Sequence, residues 1–87
     1  MRLDLLLNKL CLTKTRSIAK NACDKNLVFI SGKPAKASAL VKEGDTVIFR
    51  LYGAEHEIKI LKIPDGNVAK KDTTQYYEML RRDELPT

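Results

Sequence analysis

Three neighbouring residues, Lys14, Thr15 and Arg16, combine two cations with a hydroxyl group where a helix is predicted to begin. A threonine at that place can cap the helix, because its side-chain oxygen accepts a hydrogen bond from a free N–H group of the first turn. The other free N–H groups, the positive end of the helix dipole and the two cations would then face one point. This arrangement predicts a binding site for a phosphate group.

The helix that begins near Thr15 supplies the frame for this site. Small and apolar residues recur on one face and predict a buried stripe, formed by Ile18, Ala19, Ala22 and Cys23. Arg16, Lys20 and Asp24 follow one another at steps of four on the outer face. Asn26 comes just after the helix, where a residue in the left-handed conformation commonly ends it.

A shorter amphipathic helix is predicted before it. Leucines recur at helical spacing and should face the core: Leu3, Leu6, Leu7 and Leu10. Arg2 and Lys9 are seven residues apart and share another face of this helix. They are placed either to reach a ligand or to form part of a solvated surface.

Strands are predicted after the second helix. β-branched and aromatic residues favour strands at 28–31, 46–52 and 55–63, with turns at Gly32 and Lys33 and at Gly53 and Ala54. Phe29 is compatible both with stacking on a base and with packing inside the protein.

The end of the chain is predicted to be helical. Residues 64–67 form a turn, and Thr73 or Thr74 caps a last helix whose apolar positions are near helical spacing, at Tyr76, Tyr77, Met79 and Leu80. The predicted fold is α+β, with two N-terminal helices packed on a small, mostly antiparallel sheet, plus a C-terminal helix. Residues 1–64 would form one domain and residues 65–87 a helical extension packed on or beside it.

Charge is distributed unevenly along the 87 residues, which carry a net charge of +5. Residues 1–42 hold nine Lys and Arg against two Asp and Glu, whereas residues 43–87 hold seven against nine. A basic half favours a polyanionic partner, although a solvated basic surface without such a partner is the alternative.

Other classes of function have little support in the sequence. Cys11 and Cys23 lack the spacing of metal ligands, and His56 is the only histidine, so neither a metal nor another cofactor is expected. His56 lies between two glutamates without an evident acid–base or nucleophile partner, which argues against an enzyme. The apolar run at residues 5–7 is too short for a signal sequence or a membrane span, which predicts a cytoplasmic protein.

Five short motifs occur in a fixed order along the chain: Arg2-Leu3-Asp4, Lys14 to Ser17, Val28 to Lys33, Ala35 to Ser38, and Val41 to Asp45. Over about residues 1–63 they resemble the S-four (alpha-L) RNA-binding domain. This resemblance implies that the helix pair and the first hairpin form a surface for structured RNA, recognised through shape and backbone. The RNA-binding residues implied by position are Arg2, Lys14, Thr15, Arg16, Lys20, Lys33, Lys36 and Ser38.

Two more residues belong to this predicted surface. Lys9 is added as an RNA-binding residue because it shares a helix face with Arg2. Asp4 is expected to orient an arginine rather than to touch RNA. The sequence departs from the family at Asn26, where glycine is usual, and at Phe29 and Ser31, where arginine and asparagine are common.

The short length resembles the free-standing members of this family. A resemblance to the members that act in ribosome-associated quality control implies two RNA partners, large-subunit ribosomal RNA and peptidyl-tRNA on stalled subunits. It also implies a protein partner, RqcH, which adds alanine tails. The related heat-shock protein fifteen group, a large-subunit recycling factor, is one alternative. A protein-interaction adaptor that docks through the face of Tyr76, Tyr77 and Met79 is another. We expect a non-catalytic monomer with neither a membrane partner nor a small-molecule substrate.

Overall fold

The computed structural model describes residues 1–66 and 68–85, and it consists of two short helices and one antiparallel sheet. The elements are α1 (Leu3–Lys9), α2 (Arg16–Asp24), β1 (Val28–Ile30), β2 (Lys33–Pro34), β3 (Thr46–Leu51), β4 (Ala54–Ile60), a 3₁₀ helix η1 (Lys70–Gln75) and β5 (Tyr77–Glu84). The strand order is β2-β1-β3-β4-β5. The predicted α+β class is confirmed. Within the described ranges, no helix has the length and apolar character needed to cross a bilayer.

The core lies between the helix pair and one face of the sheet. The four leucines predicted to face inward, three on α1 and Leu10 directly after it, are buried, as are Ala19, Ala22 and Cys23 of α2. The sheet contributes Val47 and Phe49 from β3 and Ile58 and Ile60 from β4. The helical spacing of the leucines therefore predicted correctly which face of α1 is buried.

Both tight hairpins turn through two residues with positive φ. Ser31 and Gly32 have φ of 52° and 82°, and Tyr52 and Gly53 have φ of 56° and 73°. The turns lie one residue earlier than the sequence predicts, since Ile30 pairs with Lys33 and Leu51 with Ala54. A type I′ turn needs positive φ at both central residues, so glycine takes its second position and the preceding residue adopts the left-handed conformation as well.

The C-terminal segment differs from the predicted C-terminal helix. The short 3₁₀ helix η1 stands where the helix was predicted to begin, and β5 follows it as the fifth strand of the sheet. β5 runs antiparallel to β4 from the pair Ala54 and Glu84 to the pair Ile60 and Tyr77, with a bulge next to Ile58. Pairing satisfies the backbone groups along the open edge of β4, which outweighs helix propensity. The predicted turn residue Asn67, and Pro86 and Thr87, lie outside the described residues.

Arg81 of β5 ties the last two strands together on the sheet face away from the helices. Its guanidinium contacts Glu55 at 2.8 Å and Glu57 at 3.2 Å, and it also bonds to Asp83. Arg50 of β3 lies 2.8 Å from the same Glu55 carboxylate. Hydrogen bonds from Arg50 and Arg81 lower the pKa of Glu55 below its ordinary value of 4.5, and the carboxylates raise the pKa of Arg81.

This network predicts that acid loosens β5. Because the folded state lowers the pKa of Glu55, its contribution to stability is present above pH 4.5 and is lost as the pH falls through the lowered pKa. We expect hydrogen-exchange protection of the β5 amides to drop in that range before protection of β3 does. Arg81→Ala should reduce this acid dependence without abolishing it, because Arg50 still lowers the pKa of Glu55. Arg82→Ala should preserve it, because Arg82 lies opposite His56 in the register of the strands and has no salt bridge within the described residues. An Arg81→Ala protein with unchanged acid dependence would contradict this role of the network.

Candidate nucleic-acid interface

Two arginines from different parts of the chain share one buried carboxylate. Asp4 is only 2% exposed, and its side chain lies 3.3 Å from Nε of Arg2 and 3.2 Å from Nε of Arg16. The backbone N–H of Leu5 donates a further hydrogen bond of 2.8 Å to the same carboxylate. The structure therefore places Asp4 as the sequence predicts and shows that it orients two arginines, which we call the arginine pair.

The arginine pair remains available to a ligand. The side chains of Arg2 and Arg16 are each 47% exposed, although each is held by Asp4 at one end. Two guanidinium groups beside one carboxylate leave a net positive charge. A guanidinium fixed in this way loses little entropy when it binds an oxyanion through paired N–H groups.

The start of α2 lies beside the arginine pair and is capped as predicted. The Thr15 hydroxyl oxygen accepts a hydrogen bond of 3.1 Å from the N–H of Ile18. The Thr13 hydroxyl donates to the Thr15 carbonyl at 3.0 Å and fixes the approach to the helix. The N–H groups of Arg16 and Ser17 belong to the first turn of the helix, where no carbonyl of the helix can accept their hydrogen bonds. They are therefore available to a ligand.

Two adjoining cavities connect these groups into one surface, which we call the basic groove. The first, about 270 Å³, lies at the start of α2 against Arg2, Asp4, Arg16, Ser17 and Lys20. The second, about 360 Å³, shares Arg2 and Lys20 with the first and extends to the end of α2 and the loop after β2. That loop is held against α1 by hydrogen bonds from the N–H of Leu3 to Ala39 O at 2.8 Å and from the N–H of Asp4 to Ala37 O at 3.2 Å. The loop residues Lys36 and Ser38 thereby join the groove.

The structure brings together five of the nine predicted RNA-binding residues in the lining of this groove: Arg2, Arg16, Lys20, Lys36 and Ser38. The other four lie outside that lining. Thr15 serves as the helix cap, Lys14 is exposed just before it, and Lys33 is exposed on β2. Lys9, at the far end of α1, donates from Nζ to the Gly66 carbonyl at 3.0 Å. Contact of any of the nine with RNA stays a prediction.

Sequence reasoning did not assign three polar residues that line the groove, namely Ser17, Asp24 and Asn26. Ser17 follows Arg16 directly, and Asp24 continues the step-of-four series of Arg16 and Lys20, so helical periodicity could have found both. Asn26 was predicted to end the helix, in place of the usual glycine, and its φ of 59° confirms that role. Its place in the groove depends on contact between α2 and the loop after β2, which no local pattern reveals.

Phe29 contacts an arginine on the outer face of the sheet. It is half-buried on the sheet face away from the helices, and the Arg50 guanidinium carbon lies 5.7 Å from its ring centroid. The arginine therefore covers one face of the ring in a cation–π contact. Phe29 thus has a packing contact with Arg50, and its stacking on a base stays a prediction.

Cys23 and His56, a potential nucleophile and a potential base, lie in unreactive surroundings. Burial, together with the charges of Asp4 and Asp24, raises the pKa of the Cys23 thiol to about 11, so Cys23 remains protonated at neutral pH. The His56 ring stacks on Phe49 with centroids 4.7 Å apart. Both ring nitrogens of His56 are buried without a hydrogen-bond partner among the described residues. Neither side chain belongs to an acid–base or nucleophile pair in the described parts of the chain.

Comparison with known proteins points to one family. The S4 domain, the S-four domain of the sequence resemblance, matches residues 1–47, which include the arginine pair and the whole lining of the basic groove. A Helicobacter pylori protein named RQC P-site tRNA stabilizing factor is 40% identical over 77 residues, covering 87% of this chain and 92% of that protein. A Bacillus subtilis protein of the same name is 32% identical over 85 residues and covers 98% of both chains.

A solved structure extends the similarity to three dimensions. The trimeric structure of Vibrio cholerae heat shock protein 15 aligns with a TM-score of 0.85 at 33% sequence identity. The alignment covers 91% of this chain and 80% of that one. The similarity therefore reaches beyond the helix pair into the sheet.

Proposed function

Because this chain belongs to the S4 domain family, we propose that it is a non-catalytic RNA-binding protein whose basic groove holds the backbone of ribosomal RNA and tRNA. The proposed role is that of the RqcP group in ribosome-associated quality control. The protein would bind large-subunit ribosomal RNA and peptidyl-tRNA on stalled subunits in the cytoplasm and assist RqcH in alanine tailing. Relatives named RQC P-site tRNA stabilizing factor, similar over nearly their whole length, support this role.

The observation that carries the proposal is the sharing of Asp4 by two arginines. A single exposed arginine is common on protein surfaces and says little about function. Two guanidinium groups oriented by one buried carboxylate, beside an open helix start, form a fixed array of donors that suits phosphate oxygens. Lys20 and Lys36 extend the positive charge along the groove.

The mechanism is one of holding rather than of chemistry. Each phosphate that an arginine or lysine neutralises releases counterions from the RNA, so the affinity should fall steeply as salt rises. The groove would contact the phosphate backbone of the RNA, and the helix pair would fix the direction in which that RNA strand runs. A protein of this kind stabilises one placement of tRNA relative to ribosomal RNA.

Arg16→Ala tests the proposal directly. We expect weaker RNA binding and a salt dependence of log affinity that is smaller by about one phosphate equivalent. Filter binding or pelleting with large ribosomal subunits over a range of salt concentrations measures both quantities. Lys59→Ala is the matched control, because it also removes one positive charge. Lys59 is exposed on β4, away from the groove. An unchanged slope for Arg16→Ala would remove Arg16 from the RNA contacts.

A second candidate is a recycling factor of the heat-shock protein 15 type, favoured by the structural similarity at a TM-score of 0.85. Both candidates would act on the large subunit, and they differ in whether RqcH is part of the complex. Sucrose-gradient fractionation of the tagged protein, followed by identification of the co-sedimenting proteins, separates them. Recovery of RqcH with the large subunit favours the role in quality control.

A further inference from the structure

The second cavity of the basic groove contains a carboxylate that phosphate binding does not explain. Asp24 is exposed at the end of α2 and lines this cavity together with Lys20 and Lys36. Within the described residues Asp24 makes no salt bridge, in contrast to Asp4, which is fully engaged by the arginine pair. A free carboxylate repels phosphate oxygens at close range, so it weakens a cavity that binds only phosphate.

Besides the cations Arg2, Lys20 and Lys36, the lining of this cavity includes neutral groups that suit a nucleoside. Asn26 and Ser38 add neutral polar groups that both donate and accept hydrogen bonds. The Cys23 thiol in the same wall stays neutral because its pKa is raised to about 11. A volume of about 360 Å³ lies within the range of small-ligand sites. The cavity therefore offers acceptors, neutral donors and enough space for part of a nucleotide.

We propose that Asp24 is a specificity-determining residue whose carboxylate accepts a hydrogen bond from a sugar or base of the bound RNA. An ionised carboxylate is only an acceptor, so its ligand must supply a donor. RNA supplies two kinds, the ribose 2′-hydroxyl and the N–H groups of the bases. This inference rests on the proposed function and adds recognition of a nucleoside to the binding of its backbone.

The dimensions of α2 place the two kinds of contact on different nucleotides. Arg16 and Asp24 are eight residues apart on one helix, or about 12 Å along its axis, which spans roughly three to four stacked nucleotides of one strand. Lys20 lines both cavities and lies between Arg16 and Asp24 on the helix. A strand along the groove would present one phosphate to the arginine pair and, roughly three to four nucleotides away, a nucleoside to Asp24.

Asp24→Ala, tested on a stem-loop RNA and on DNA of the same sequence, decides the matter. If Asp24 accepts from the 2′-hydroxyl, the variant should bind RNA less tightly and DNA more tightly. The ratio of RNA to DNA affinity should then fall by about tenfold, as expected for one charge-assisted hydrogen bond. If the donor is a base, affinity should fall for both nucleic acids. Replacing guanosine with inosine in the RNA should reproduce the loss when the 2-amino group of guanine is the donor. Both results support the proposal and distinguish the two sources.

An equal gain in affinity for RNA and DNA would overturn the proposal, because it would show that Asp24 acts only as a repelling charge. Glu43→Ala is the control, since Glu43 is exposed in a turn and lines neither cavity. It should leave the ratio of affinities unchanged. Asp24→Asn keeps one acceptor oxygen without the charge and should retain part of the discrimination. Arg16→Ala in the same assay weakens binding to both nucleic acids if the proposed function holds, so failure of that function is recognised separately.

Discussion

Replacement of Asp4 with alanine is expected to weaken RNA binding by about tenfold, although it makes the protein more positive by one charge. Simple electrostatics predicts the opposite, because loss of a carboxylate beside two cations should attract a polyanion more strongly. The structure gives the reason for the expected loss. Asp4 holds Arg2 and Arg16 at 3.3 Å and 3.2 Å, and without it the two guanidinium groups repel each other and recover their freedom.

The measurement is RNA affinity at several salt concentrations, with circular dichroism to confirm folding. Asp4→Asn keeps the shape and one acceptor oxygen, so it should lose less affinity than Asp4→Ala. Glu78→Ala removes an exposed carboxylate of β5 and controls for net charge. It should leave affinity unchanged or slightly raised. Tighter RNA binding by a folded Asp4→Ala protein would refute the idea that Asp4 acts by orienting the arginines.

The largest effect on stability is expected at Phe49. It is the largest fully buried side chain, 2% exposed, and it stacks on His56 at a centroid distance of 4.7 Å. Phe49→Ala should lower the free energy of unfolding by about 3–5 kcal/mol, because it removes buried apolar surface and leaves a cavity. The total free energy of unfolding of a native protein is only about 5–15 kcal/mol, so the variant should be largely unfolded in mild denaturant.

Phe29→Ala is the matched control, since it makes the same change on the neighbouring strand β1. Phe29 is half-buried on the other face of the sheet and contacts Arg50, so its loss should cost only about 1 kcal/mol. Urea unfolding followed by circular dichroism measures both changes. Equal losses at the two positions would mean that the core does not centre on β3 and β4 as described.

Local patterns predicted the part of the fold that local contacts determine. Leu3, Leu6 and Leu7 of α1 and Leu10 directly after it share a face at helical spacing, and that face is buried. The cap at Thr15 and the left-handed residue Asn26 mark the limits of α2 because each depends on neighbours within a few residues. The hairpin turns were found to within one residue for the same reason.

The last strand could not be predicted in this way. Residues 77–84 contain Glu, Met, Leu and Arg, which favour helices, and their apolar positions fit a helical period about as well as they fit a strand. Their conformation depends on pairing with β4, and most of the paired residues are more than twenty positions apart in the sequence. Arg81 then adds contacts to Glu55 and Glu57 that only this register allows. Tertiary pairing thus overrides local propensity.

The candidate site shows the same division. The sequence placed Arg16 at a helix start and predicted that Asp4 orients an arginine, but it could not show that Arg2 and Arg16 share that carboxylate. That sharing depends on how α1 and α2 pack. Lys9 shows where periodicity alone misleads. Periodicity grouped it with Arg2, but in the folded protein its ammonium group donates a hydrogen bond to the Gly66 carbonyl.

The position of β5 at the rim of the sheet bears on how the protein behaves in a crowded solution. A terminal strand exposes a row of backbone groups that invites another chain to add to the sheet and begin aggregation. Five of the eight residues of β5 are charged, and a bulge interrupts its pairing with β4. Both features discourage the stacking of further strands. We therefore expect the last strand, besides completing the sheet, to keep the protein from forming fibrils at high concentration.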